Sequence, residues 1–468
     1  MEPAHASSRR DFLLSAAVIA GAASLASCAS GASARRPSAN GRLRIAQIGC
    51  GGKGLSDMQA CAKEHDIVAL CDVDEGKAAQ ARKEHPKATF YHDYRDMLDH
   101  EKVDAVVVST PDHSHAVPAL IAMELGHHVF VQKPLTHTVE EARLLTKVAR
   151  RKGVITSMGN QGTCLEGFRS AAEAVRSGAI GDVTEVHVWT DRPIWPQGIA
   201  RPSWVDPIPA TFRWDLWLGP AAHRPYAAAR KDQELFKGYA PFQWRGWWDF
   251  GTGALGDMAC HTFNMPFMAL TLRDPASVQA VTSGHNKETF PKWSIIDFEF
   301  PTLGDRPAVK VKWYDGGKLP DAGLFAGFRG EVKKNAEGKE EEQPFKTSAS
   351  GVLVIGEKDV LYAPGDYCGD MSLKSGTKPA EVAFTKSPGH FVEFVNAIKG
   401  GPAAVSNFPD YAAPLTETIL LGNLAVWAAD AADVAGKKIE WDPVKLVATN
   451  APEVESIVRP TPRDGWKA

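Results

Sequence analysis

Residues 42–54 read RLRIAQIGCGGKG, a short apolar strand that runs directly into Gly49-x-Gly51-x-x-Gly54. A bare glycine triplet is weak evidence. Here it lies between a strand and the helix-forming LSDMQACAKE (55–64), the context a dinucleotide-binding loop requires. Glycines let the backbone turn tightly and approach a pyrophosphate, and the N-terminus of the following helix faces its negative charge. A second strand, DIVALCDVD (66–74), carries Asp72, which lies 18 residues beyond Gly54 (72 − 54). A carboxylate there accepts hydrogen bonds from ribose hydroxyls and repels a 2′-phosphate, which favours NAD over NADP; the alternative is a cap for the next helix. Gly49, Cys50, Gly51, Gly54 and Asp72 are the expected cofactor contacts of this stretch.

Outward from the loop, strand and helix patterns alternate: EGKAAQARKEH (75–85), VDAVVVST (103–110), HAVPALIAMELG (115–126), HHVFVQKP (127–134) and TVEEARLLTKVARRKG (138–153). Repeats of this length predict an α/β fold with a doubly wound parallel sheet over residues 43–157. At 468 residues the chain exceeds one ordinary core, and residues 158–468 are expected to form a second, α+β domain. The runs PASVQAVTS, SIIDFEFP and AVKVKWYDGG there suggest a largely antiparallel sheet, and HFVEFVNAIKGG and PLTETILLGNLAVWAA read as closing helices.

The stretches VDAVVVSTPDHSH (103–115) and HVFVQKPLTHTVEEA (128–142) resemble the Gfo/Idh/MocA family of glucose–fructose oxidoreductase and inositol dehydrogenase, with its Thr-Pro-x-x-x-His turn and Glu-Lys-Pro motif. The latter reads Gln132-Lys133-Pro134 here, so a neutral amide replaces the glutamate. The resemblance implies that Thr110, Pro111, His115, Gln132 and Lys133 border the cofactor, and that Lys133 polarises a substrate hydroxyl. It further implies that GTGALGDMACH (251–261) faces the nicotinamide, with His261 as general base at near-neutral pKa and Asp257 binding a neighbouring hydroxyl or orienting the imidazole. The i, i+4 spacing of that pair would set both on one helical face. One Asp and one His lack a third metal ligand, so no metal is expected.

Eight of the thirteen tryptophans fall between Trp189 and Trp248, interleaved with Arg192, Arg201 and Arg245. Tryptophan faces stack on pyranose rings and arginines bind hydroxyls, so a carbohydrate cleft is the preferred reading over plain aromatic core. Asn160, Gln161, Arg192, Trp195, Arg245 and Trp247 are its candidate substrate contacts.

Net charge is −3, which gives no electrostatic footprint for nucleic acid. Seven cysteines fit neither a disulfide framework nor a paired metal site. Ser8-Arg9-Arg10-Asp11-Phe12-Leu13 resembles a twin-arginine signal, whose translocase would carry the chain out already folded, and the apolar run behind it is too short to span a membrane. Leu25-Ala26-Ser27-Cys28 resembles a lipobox, which makes Cys28 a lipidation site, followed by a polar tether over 29–42. The alternative is an ordinary signal cleaved after Ala32-Ser33-Ala34. The expected address is periplasmic or surface-facing and membrane-anchored. Together these readings predict an exported NAD-dependent sugar or glycoside oxidoreductase whose bound cofactor is recycled in place. An NAD-dependent glycoside hydrolase or lyase working through a keto-sugar is the alternative, and a non-catalytic sugar-binding lipoprotein the second. The resemblance also suggests a homo-oligomer formed through the second-domain sheet.

Overall fold

The computed structural model describes residues 41–330, 332–334 and 338–466; the twin-arginine stretch, Cys28 and the tether up to residue 40 lie outside them. Arg42, at the end of the expected tether, is already anchored, pairing with Asp66 at 2.8 Å.

The first sheet has six strands: β1 (Arg44–Ile48), β2 (Asp66–Cys71), β3 (Thr89–Tyr91), β4 (Ala105–Val108), β5 (His128–Val131) and β6 (Thr156–Met158). They are all parallel, in the order β3-β2-β1-β4-β5-β6. The order reverses between β1 and β4, and ligand crevices open at such switch points, beyond the carboxyl ends of the strands. All four residues of β4 are buried, as a strand covered on both faces demands. The intervening helices are α1 (Lys53–Ala62), α2 (Glu75–Glu84), α3 (Tyr94–His100), α4 (Ala116–Glu124) and α5 (Val139–Lys152). Local sequence explains the ends of α5. Thr138 and Glu141 form a reciprocal capping box at its start, and Gly153, at φ 62°, ends it in the left-handed region.

Two further helices, α6 (Glu166–Arg176) and α7 (Trp214–Leu218), precede α8 (Gly253–Ala259) and α9 (Asn264–Leu270). The second sheet is built from β7 (Val183–Trp189), β8 (Ser277–Thr282), β9 (Ser294–Phe300) and β10 (Val309–Tyr314), while β11 (Val332–Lys334) and β12 (Glu340–Glu342) form a separate charged hairpin. The strands β13 (Gly351–Gly356), β14 (Val360–Pro364), β15 (Ser372–Leu373), β16 (Ile439–Asp442) and β17 (Val447–Ala448) complete it. Its order is β15-β14-β13-β7-β10-β9-β8-β16-β17, antiparallel except where β7 meets β10.

The expected division at 157/158 needs one correction. Met158 still belongs to β6, and α10 (His390–Ile398) returns to cover the first sheet. Phe394 and Val395 of α10 pack with Leu43, Ile45, Val107 and Phe130, so a segment from late in the chain completes the first domain's core. The closing helix α11 (Ala413–Trp427) is buried along most of its length between the domains.

Candidate active site

The glycine loop follows β1 as the spacing predicts. Gly49 has φ 81°, and a Cβ there would stand 2.5 Å from the Ser109 carbonyl oxygen; one on Gly54 would stand 2.0 Å from the Gly49 oxygen. Only glycine fits either place. Helix α1 has no side-chain cap and no acidic residue in its first turn, which leaves its N-terminal amides and positive dipole end open to an anion. These features fit a dinucleotide pyrophosphate.

The cleft above this loop measures about 370 Å³. Gly49, Gly51, Asp72, Thr110, Pro111, Gln132, Lys133 and Arg245 all line it. Asp72 also builds the loop it faces, since its carboxylate accepts from the Cys50 amide at 2.7 Å and the Asp74 amide at 2.9 Å. Burial raises its pKa, opposed by those hydrogen bonds. The aspartate that caps α2 is Asp74, which accepts from the Gly76 and Lys77 amides. Three expected contacts, Cys50, Gly54 and His115, need correcting. Cys50 turns its thiol into the core, towards the Cys71 carbonyl at 3.4 Å, and Gly54 serves packing. His115 is 1% exposed, with its ring nitrogens 2.8 Å from the Thr110 and Pro134 carbonyls; as a neutral ring it donates to one of them and faces the turn, not the cleft. Burial lowers its pKa to about 4 and keeps it neutral.

Gln132 explains its own departure from the family motif. Its amide donates to Asp57 at 2.7 Å, and Asp57, fully buried, also takes Lys53 at 2.6 Å and the Ser109 hydroxyl at 2.8 Å. A second carboxylate at position 132 would meet the first.

Across the cleft, Lys133 donates to both the carboxylate and the backbone carbonyl of Asp257, at 2.9 Å each. Arg245 donates to the same carboxylate oxygen at 3.0 Å, its guanidinium resting 4.3 Å from the Trp244 ring centre. Burial pushes the Asp257 carboxyl up, but the Lys133 and Arg245 charges outweigh it and hold the group well below the usual carboxylate range. The third Lys133 N–H remains for the cleft. Asp257 therefore anchors the lysine and does not orient the imidazole, as one reading of the motif had it. That place belongs to Asn160, whose Oδ1 stands 3.3 Å from His261 Nδ1. Helix α8 ends at Ala259 and tightens, so the His261 amide bonds the Met258 carbonyl at 2.9 Å. Burial, then the Lys133 charge, lowers the His261 pKa to about 3, well away from the expected neutral value. His261 is 5% exposed and is not among the residues that line the cleft, with Tyr367 edge-on at 4.8 Å; Gln161 donates to the Tyr367 hydroxyl at 2.8 Å. Arg192 pairs with Asp191 and, at 3.4 Å, with Asp366.

The tryptophans are the main correction. Trp247 is 1% exposed, and Trp195, at 4%, donates its indole N–H to Gln197 at 2.9 Å, so neither offers a face for stacking. Trp214, Trp217, Trp244, Trp247, Tyr239 and Phe250 instead form a small aromatic core. Buried Arg224 lies against its Tyr239, Trp247 and Phe250 rings and pairs with Asp249. That lobe roofs the cleft through Phe212, Leu216, Trp217 and the 240–242 turn.

Sequence reasoning missed Asp112. It lies within the Thr-Pro-x-x-x-His turn, lines the cleft, and accepts from the Thr252 hydroxyl at 2.7 Å. Burial raises its carboxyl to about 6. Its signal was a carboxylate directly after the turn-forming Pro111.

The sequence profile of the oxidoreductase family's NAD-binding Rossmann fold matches residues 43–160, and that of its C-terminal α/β domain matches 195–304. The chain belongs to the Gfo/Idh/MocA oxidoreductase family. A glycosyl hydrolase family 109 protein from a Shewanella species is 37% identical over 120 residues, covering 23% of this chain and 26% of that protein. An alpha-N-acetylgalactosaminidase of Shewanella oneidensis is 34% identical over 120 residues, with the same coverage. The chain spans about a quarter to a third of the length of such curated relatives. The WlbA dehydrogenase of Bordetella pertussis, solved with NADH and UDP-GlcNAcA, shares the fold at TM-score 0.56 and 17% identity, over 84% of this chain and 98% of that one.

Proposed function

We propose that this protein is an exported NAD-dependent oxidoreductase that oxidises a hydroxyl of a sugar or glycoside and keeps its cofactor between turnovers. The observation that carries this reading is the Lys133 ammonium. It is anchored by Asp257 and opens onto the same cleft as the glycine loop. Bound NAD supplies the hydride acceptor. Lys133 turns its free N–H to the substrate hydroxyl and favours the alkoxide-like form. His261 stays neutral at its lowered pKa and donates from Nδ1 to Asn160, so its Nε2 lone pair is the acceptor that the family resemblance assigns to the hydroxyl proton. Asp112 and Arg245 supply an acceptor and donors for further hydroxyls. The Asp72 carboxylate, which lines the cleft, supports NAD over NADP. The leader over 8–28 supports folded export and an acylated Cys28, which would put the enzyme outside the cytoplasm, where a retained cofactor needs no pool. Loss of export on Arg9→Lys with Arg10→Lys tests that address.

The relatives named as a family 109 glycosyl hydrolase and an alpha-N-acetylgalactosaminidase favour a second reading, in which a transient keto-sugar loses the acidified neighbouring proton and its glycosidic substituent, water adds, and the hydride is returned. Both readings share the first step, which single-turnover reduction of bound NAD by sugars and glycosides measures. Lys133→Met and His261→Ala should each slow it by ~10²–10⁴-fold while leaving bound NAD in place. Wild-type rates in both variants would refute this site. Release of an aryl group from glycosides without added cofactor would select the hydrolase.

A further inference from the structure

The aromatic lobe does more than roof the cleft; it is hydrogen-bonded to the chain that carries Asp72. The Glu75 amide donates to the Thr211 carbonyl at 3.0 Å, and the Arg213 amide donates to the Val73 carbonyl at 2.8 Å. Between them Phe212 and Asp74 pair as antiparallel neighbours. Phe212 lines the cleft together with Gly51, Gly52 and Asp72, and the 240–242 turn lines it as well. The ring is 7% exposed and is held by Trp214 at 5.8 Å and Tyr226 at 6.0 Å. Outside the pair, Glu75 faces His92 at 3.2 Å and Arg213 at 3.8 Å.

We propose that residues 211–213 form a cofactor latch, which pairs by backbone hydrogen bonds with Val73–Glu75 and closes the adenosine end of the dinucleotide cleft. This deepens the reading of a retained cofactor and rests on it. In a doubly wound domain standing alone, the turn after the second strand is open to solvent on this side. Here a dinucleotide leaves past it only when two backbone bonds part and Phe212 withdraws from its aromatic seat. The latch belongs to the second domain and the cofactor loop to the first, so cofactor release is tied to movement between them.

The register provides a clean test. Glu75 is the first residue of α2, where proline is tolerated, and Asp74 before it is extended at φ −121° and ψ 106°, as a pre-proline residue must be. Glu75→Pro therefore deletes the donor to Thr211 and spares the helix. Glu75→Ala keeps that donor and removes only the side chain. Each protein is loaded with NADH, and its release is followed by loss of bound fluorescence on chasing with excess NAD. Glu75→Pro should release NADH on the order of 3- to 10-fold faster, as expected for one lost backbone hydrogen bond, with Glu75→Ala close to wild type. Phe212→Ala, which leaves the backbone pair intact, should also release faster and serves if the proline variant does not fold. Equal release from Glu75→Pro and wild type, equal acceleration by Glu75→Ala, or wild-type release from Phe212→Ala overturns the latch. Wild-type release faster than turnover would instead refute in-place recycling, and the ratios among variants would still judge the latch.

Discussion

Restoring the family's glutamate should damage this protein. In Gln132→Glu a carboxylate replaces the amide that donates to Asp57 at 2.7 Å. Two unit charges at that separation repel by about 6 kcal/mol at an effective dielectric of about 20. Lys53 already pairs with Asp57 at 2.6 Å in the wild type, so only its attraction to the new carboxylate and solvent screening through its 46% exposed side chain offset this, which leaves a net cost of about 3 kcal/mol at pH 7. One carboxyl of the new pair would be raised above its unfolded pKa. Stability tied to it is then full at low pH and lost as pH rises through the raised value, so the deficit should shrink towards pH 4. Asp57→Asn in the same chain restores an amide–carboxylate pair with the roles exchanged and should recover most of the loss. Urea unfolding of the four proteins of this double-mutant cycle, at pH 5 and pH 7.5, measures the coupling. A Gln132→Glu protein as stable as wild type at pH 7.5, or a double variant no better than the single, would refute the reasoning.

Trp247→Ala should cost about 3–5 kcal/mol, because the indole is buried and flanks Arg224. Urea denaturation reads this, and a variant of unchanged stability with only a raised KM would return Trp247 to the substrate cleft. Asp112 has a raised folded pKa of about 6, so its stabilising contribution is full below about pH 4 and is lost as pH rises through 6. Asp112→Asn keeps an acceptor for Thr252 and should match wild type in acid but gain up to about 3 kcal/mol at pH 7. Scanning calorimetry across pH 4–8 checks the sign, and a variant less stable at pH 7 would show that the ionised carboxyl is better solvated than its burial implies.

Much of the fold was legible because its signals are local. The glycine spacing, the apolar runs of β4 and β5 and the capping residues of α5 each act within a few residues of chain. Lys133 and Asp257 were legible as residues but not as a pair, since 124 positions separate them and only the closed fold brings them to 2.9 Å. The tryptophans were misread for a physical reason. A sugar cleft and a buried aromatic core around an arginine have the same composition, and Arg224, the cation at the centre, carries no local mark. His261 was assigned a near-neutral pKa from its chemistry alone. Its burial comes from Tyr367 and the segment around Asn160, which lie about a hundred residues away on either side. Asp72 was read as facing the ligand or capping the next helix, and its loop-building task was not legible because it needs the Cys50 and Asp74 amides folded back upon it.

Helix α10 has a consequence for how the protein is made. Phe130 of β5 stacks on Phe391 at 4.5 Å and meets Phe394 at 5.8 Å, so the Phe130 side of one face of the nucleotide-binding sheet stays uncovered until residue 398 has been made. The first 160 residues, although they contain the entire parallel sheet, emerge as an unfinished surface that invites association with other nascent chains. The residues that line the cofactor cleft are all made by Arg245, well before the helix that finishes the sheet beneath them. A fragment ending at residue 160 would gather into aggregates rather than serve as a free-standing nucleotide carrier.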